Sequence, residues 1–222
     1  MHFKFNKIIQ TMIVLIVSLI IVYYNAYSNN FPSDLSKEDI NALKAGNSII
    51  KKYKQKTQEG EMARVVGAIL IQKPVEEVWK CILDWEHMSH YVDGLDYYKV
   101  LTKINGTTSV IEGQIHVTFL KFRYTLIVQN QKNNYFQKWR LLSDDDIKLY
   151  NITNHINPHS SGIRNIEGYQ YCISMDDNTT LLYYAPVVEV SVPVPGFVEN
   201  SLTKKSIKDY LYGIKNYLEN GK

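Results

Sequence analysis

Several groups of side chains in this chain have the types and spacings from which chemical sites are built. His87 and His90 stand three positions apart, and His155 and His159 four apart, spacings at which two imidazoles can share a metal ion. No cysteine or carboxylate cluster completes either pair, so they read as surface histidines and no metal is expected. Asp144, Asp145 and Asp146 lack the glycine and the distant glutamate of a calcium loop and read as a turn. Glu112, His116, Arg123 and Arg140 fall on or near β-rich runs. Two of them pointing into one interior would make an acid and a base able to act on a bound carbonyl compound. Arg123, however, shares the polar side of its run with Lys121, Thr125 and Gln129. The chain has no glycine-rich phosphate loop and no Gly-x-Ser-x-Gly elbow. No catalytic residue and no cofactor is assigned.

The elements that would position such groups are clearest between residues 65 and 104. A β-rich run, residues 65–71, stops at Pro74, which suits the first turn of a helix because no partner is needed there for its missing N–H. Glu76 and Glu77 put negative charge where the helix dipole favours it. Val75, Val78, Trp79 and Ile82 form the stripe of one buried helix face. Asp84 interrupts that helix, a second short one covers residues 85–91, and Gly94 ends it before a strand over 95–104. The predicted order is strand, two short helices, strand.

Upstream, residues 29–33 read as linker, and Ser36 with Asp39 three positions on marks a helix start. Ile40, Leu43, Ile49, Ile50 and Tyr53 are assigned to the apolar side of this helix. Lys51, Lys52, Lys54 and Lys56 form its basic end, placed for the helix C-terminus or for anionic lipid headgroups. Downstream, strands are predicted over 110–119, 121–129, 135–142, 164–175 and 180–190, the last two joined by a turn at Asp176-Asp177-Asn178. Residues 151–162 read as irregular. Pro193 and Pro195 close the strand region. A long amphipathic helix over 197–219 then carries Leu202, Ile207, Tyr210, Leu211, Ile214, Tyr217 and Leu218 on one face.

Lys4 and Lys7 precede an apolar run over residues 12–24 broken only by Ser18, and Ala26-Tyr27-Ser28 supplies small residues at a cleavage spacing. Residues 1–28 are therefore expected to be a signal peptide or an N-terminal membrane anchor. Either places the rest outside the cytoplasm, periplasmic or secreted, with any membrane association made through that segment. Residues 29–60 are read as linker and N-terminal helix, and 61–220 as the domain. Without residues 1–28 the chain has 23 cationic and 22 acidic side chains, a net charge of +1. Near-neutrality excludes nucleic acid, whose phosphates demand clustered positive charge. Cys81 and Cys172 can pair in an oxidising compartment or remain two separate buried side chains. The sequons at Asn105, Asn151 and Asn178 bear on glycosylation only in a eukaryotic secretory pathway.

The string Lys73-Pro74-Val75-Glu76-Glu77-Val78-Trp79, the step Leu83-Asp84-Trp85 and Tyr91 before a turn, with the long last helix, resemble the START-like (SRPBCC) superfamily. That group includes polyketide cyclases, coenzyme-Q-binding proteins and birch-pollen allergens. The resemblance covers residues 61–219. It implies an α+β helix-grip fold: a curved antiparallel sheet of about six to seven strands around the long C-terminal helix, two short helices after the first strand, and here an extra N-terminal helix. It also implies a cavity between sheet and helix for a lipid or other hydrophobic small molecule, in a monomer. Candidate lining groups are Tyr124, Leu126, Trp139, Tyr169, Tyr171, Tyr183, Leu211 and Ile214, with Tyr91 at the mouth. The 17 tyrosines suit such a cavity, each joining an apolar body to a polar tip. Two alternatives stay open. One is a cyclase- or dehydratase-type enzyme acting on a bound apolar carbonyl compound. The other is a protein-interaction module whose cavity is filled.

Overall fold

The computed structural model describes residues 31–57, 60–117, 120–152, 156, 160, 162–191 and 196–221. The expected leader and the pair His155 and His159 lie outside them. Among the described residues no helix is long and apolar enough to cross a membrane.

Helix α1 spans Lys37–Lys44 and begins in a full capping box. The Ser36 hydroxyl accepts the Asp39 N–H at 3.2 Å, and the Asp39 carboxylate accepts the Ser36 N–H at 2.8 Å. Gly46, at φ +84°, turns the chain out of the helix. The next segment departs from the sequence-based expectation: Ile49, Ile50 and Tyr53 belong to strand β1 (Ile49–Thr57), not to the helix. β1 pairs antiparallel with β2 (Gly60–Ile71), from Ile49 opposite Ala68 to Thr57 opposite Gly60. The lysines at 51, 52, 54 and 56 therefore line an edge strand, where charge discourages pairing with another chain. Helical periodicity and a β-branched pair followed by alternating lysines overlap over so short a stretch, and the partner strand decided the outcome.

Helix α2 (Val75–Leu83) and a 3₁₀ turn (Trp85–His90) follow β2 as expected. Then come β3 (Leu95–Lys103), β4 (Thr108–Val117), β5 (Leu120–Gln131) and β6 (Phe136–Leu141). The three aspartates expected in a turn are instead the first turn of helix α3 (Asp144–Leu149). Ser143 caps it, accepting the Asp146 N–H at 3.2 Å, and the acidic first turn meets the helix dipole favourably. β7 (Ile163–Asp176), β8 (Thr179–Val190) and helix α4 (Gly196–Asn220) complete the chain.

The eight strands of the described residues form one antiparallel sheet in the order β1-β2-β8-β7-β6-β5-β4-β3, one more strand than the upper expectation. The addition is β1. Register shifts in the β3–β4 and β7–β8 pairings are the irregularities at which strands bend. The inner face carries Ile69, Ile71, Ile111, Tyr124, Leu126, Val128, Trp139, Ile166 and Leu182, packed with Ile207, Leu211 and Ile214 of α4 and with α2. Burying each of those α4 side chains stabilises the docking by about 2 kcal/mol. On the outer face α1 covers Val66, Ala68, Leu70, Leu181 and Tyr183, while α3 lies over Val110, Ile127 and Leu142.

Two close approaches fix α4. A Cβ at Gly67 would collide with Ile207 and Leu211, and one at Gly213 with the Tyr91 carbonyl. At the end of the helix the Lys215 ammonium donates to the Leu70 carbonyl at 2.8 Å and to Glu219 at 2.7 Å. Glu219 in turn accepts the Gln72 N–H at 2.6 Å.

Candidate ligand site on the inner face

Two further glycines shape the packing of the inner sheet face. Gly113 on β4 leaves room for two rings, since a Cβ there would lie 2.5 Å from Tyr98 and 2.9 Å from Tyr124. Gly168 on β7, opposite Trp139 on β6, does the same for the indole, which a Cβ would meet at 2.6 Å. The aromatic side chains so admitted form a connected lining. Tyr98 packs edge-on against Trp85 at 5.0 Å, and its hydroxyl pairs with that of Tyr124 at 3.1 Å. Tyr184 stacks on Trp139 at 5.6 Å and on Tyr210 of α4 at 4.2 Å.

Beneath the aromatics runs a polar chain. The Tyr210 hydroxyl donates to Gln170 Oε1 at 2.6 Å, Gln170 Nε2 donates to Gln137 Oε1 at 2.7 Å, and Gln137 Nε2 donates to Asn130 Oδ1 at 2.8 Å. Gln137 and Gln170 are 0% and 1% exposed, so each bond satisfies groups that water cannot reach. The chain links α4 to β7, β6 and β5 across the inner face.

Tyr98 and Tyr184 combine two properties that seldom coincide. Each keeps accessible surface and is only half-buried. Each phenol nevertheless has its pKa pushed up, first of all by removal from bulk water. Both side chains pack against the inner cluster. The Tyr184 hydroxyl has no hydrogen-bond partner among the described residues. The Tyr124 phenol is also held well above the ordinary range by burial. All three phenols are therefore neutral at physiological pH.

The structure gathers Tyr124, Leu126, Trp139, Leu211 and Ile214 on this inner side. It does not bring Tyr169, Tyr171 and Tyr183 to it. These three stack on one another on the outer face, Tyr171 on Tyr183 at 4.8 Å and Tyr169 on Tyr171 at 6.3 Å. The Tyr183 hydroxyl donates to Asp34 beside α1 at 2.7 Å. The reason is parity: strand side chains alternate between faces, and β7 and β8 are apolar on both because α1 covers the outside. Tyr91 lies at a seam rather than at a mouth. Its ring stacks on Tyr217 of α4 at 4.3 Å, and its hydroxyl donates to the Cys81 carbonyl at 3.3 Å. Tyr98, Tyr184, Gln137 and Gln170 are absent from the lining read from the sequence, and Tyr210 enters that reading only on the apolar face of the last helix. The glycines at 113 and 168, set within β-rich runs, were the available signal.

The residues considered for acid–base chemistry face outward. Glu112 accepts from the Tyr97 hydroxyl at 2.9 Å and lies 3.5 Å from Arg123 Nε. His116 pairs with Asp96 at 2.6 Å. Arg140 donates to Asp146 through Nη2 to Oδ1 at 2.6 Å and through Nη1 to Oδ2 at 2.5 Å, a two-pronged contact that pulls the Asp146 carboxyl down to about 2. His87 pairs with Asp84 at 2.7 Å, which raises the imidazole pKa. Cys81 and Cys172 are free, buried thiols, both pushed up by desolvation. An open groove of about 410 Å³ lies on the outer face, lined by Arg64, Phe136, Lys138, Arg140, Glu167 and Tyr169. Arg64 and Asp146 are the buried charged residues among those described, and both lie on this outer side.

No family model and no curated protein matches the chain. Solved structures do. A START superfamily protein from Mycobacterium smegmatis aligns over 72% of this chain and 99% of its own, with TM-score 0.57 and 13% identity. A STAR-related lipid transfer protein from Xanthomonas axonopodis aligns over 77% and 94%, with TM-score 0.56 and 11% identity. The Zhui aromatase/cyclase from a Streptomyces aligns over 78% and 98%, with TM-score 0.54 and 8% identity. An eight-stranded antiparallel sheet gripping a C-terminal helix, aligned with these structures along most of their length, gives this chain the START-like helix-grip fold.

Proposed function

We propose that the chain encloses a lipid or another hydrophobic small molecule between the inner sheet face and α4, and does so as a monomer outside the cytoplasm. The observation that carries this reading is the apolar inner face closed by α4, with the partly buried Tyr98 and Tyr184 packed against it. A predominantly apolar wall with a few inward polar groups is the usual make-up of a small-molecule site. The fold supports the reading, since one structural neighbour is a lipid transfer protein. The extracytoplasmic location rests on Lys4, Lys7 and the apolar run that follows them. In an aqueous compartment such an enclosure would serve transfer of the ligand as well as its storage.

The test is mass spectrometry of an organic extract of the full chain, purified gently from its own cell envelope. The wild-type protein should yield an apolar molecule in stoichiometric amount. Leu211→Trp, whose larger side chain crowds the contact of α4 with Gly67, should yield none, with circular dichroism establishing that the variant is folded. An empty extract from a folded, monodisperse wild-type protein would overturn the reading.

A further inference from the structure

The groove on the outer face has a chemistry for which the inner enclosure has no use. Its floor is two rows of side chains across the sheet. Gln129, Lys138 and Tyr169 stand in register on β5, β6 and β7, and Ile127, Arg140 and Glu167 form the next row. Phe136 lies beyond the first row, its ring stacked on Tyr169 at 6.0 Å. Arg64 reaches in from β2 and is 9% exposed. Its guanidinium lies 5.4 Å from the centre of the Tyr169 ring, and its Nη2 donates to Glu167 Oε1 at 3.1 Å. The Arg64 Nε, shut off from solvent, has no hydrogen-bond partner among the described residues. Buried donors are rarely left in that state.

The charges do not balance. Three cations, Arg64, Lys138 and Arg140, line the groove with one carboxylate, Glu167. Arg140 is held by Asp146 and Arg64 by Glu167. Lys138 is exposed and has no hydrogen bond or ion pair among the described residues. One positive charge is therefore in excess. Tyr169 lies between the two cations with unused donors, opposite Lys138 and beneath Arg64. We propose that this groove is a second ligand site, built for a small organic acid that carries an aromatic ring beside its carboxylate. The carboxylate would take the donors of Arg64 and Lys138, which recognise such a group by charge-assisted hydrogen bonds. The ring would lie against Phe136 and Tyr169, which offer flat apolar surface. A neutral ring would leave the cations unmet, and a ringless anion would leave the aromatics uncovered. The site uses no residue of the inner face, so it stands or falls apart from the enclosure proposed above.

The test is a titration of the isotope-labelled full chain, followed by amide chemical shifts, with benzoate, benzyl alcohol and acetate at neutral pH and low ionic strength. Benzoate should bind at least about tenfold more tightly than either of the others and should move the amides of Lys138, Gly168 and Tyr169. Lys138→Gln, at an exposed position, should weaken benzoate about threefold. Glu167→Gln, which frees Arg64, should strengthen it about threefold. Opposite responses to two substitutions in one groove are not what a general loss of structure produces. No binding, shifts confined to other parts of the chain, acetate or benzyl alcohol binding as tightly as benzoate, or indifference to both substitutions would overturn the proposal. The wild-type comparison decides the matter even if a variant does not fold.

Discussion

Replacing Gln170 by leucine tests whether the buried polar chain is what seats α4 on the sheet. The substitution removes both bonds made by the Gln170 amide and leaves the Tyr210 hydroxyl and Gln137 Oε1 without partners in a water-free interior. Each orphaned group costs roughly 1–3 kcal/mol, partly offset by the apolar side chain gained, so a net loss of about 3 kcal/mol is expected. A domain of ordinary stability, about 5–15 kcal/mol, survives this and can be measured by urea unfolding. The sharper result lies in combination with Tyr210→Phe. In the wild-type background that change strands Gln170 Oε1 and should cost about 1–2 kcal/mol. In the Gln170→Leu background it removes an orphan hydroxyl and should cost nothing or stabilise by about 1 kcal/mol. If Tyr210→Phe costs the same in both backgrounds, the two side chains are not coupled and the polar chain does not do what its geometry says.

Two further expectations concern single residues. Asp146→Asn should cost about 2 kcal/mol at neutral pH, since the carboxyl falls from 3.8 to about 2 on pairing with Arg140. Because the folded pKa is the lower one, that contribution is full above about pH 4 and disappears as pH falls through about 2, so the variant and the wild type should converge in acid urea melts. Gly113→Ala should destabilise by about 1–3 kcal/mol and shift the near-ultraviolet tyrosine dichroism, because its methyl would meet Tyr98 at 2.5 Å. An unchanged melt and spectrum would show that the two rings are not held against this strand.

Much of the fold could be read from the sequence because local and long-range signals agree there. Pro74, Glu76 and the Val75–Ile82 stripe admit one reading, and α2 follows it. Where the signals conflict, the reading slipped. Ile49 and Ile50 can continue a helix or start a strand, and only the partner residues Ala68 and Gly67 settle which. The site was harder for a related reason. Leu181, Leu182, Tyr183 and Tyr184 offer no polar alternation from which a face could be read, so choosing Tyr183 over Tyr184 selected the wrong side of the sheet. Tyr169 and Tyr171 flank the inward Gln170, and an aromatic preference drew attention to the flanks. Where the outer face carries Arg123 and Thr125, the alternation leaves Tyr124 to the inner cluster.

The order of strands has a consequence for how the molecule is made. β2 pairs with β8, Gly67 opposite Tyr184, and α4 presses on that same glycine. This seam of the sheet thus joins segments far apart in the chain, and the element that closes the interior comes last. Such high contact order slows folding, because a long loop must close before its contacts form. Until the C-terminal helix arrives, the inner face stands open as a broad apolar sheet, the stage at which the chain is most exposed to aggregation. A hydrophobic molecule present at that stage would find the face uncovered, so the history of a preparation, and not only its final buffer, can determine what the folded protein contains.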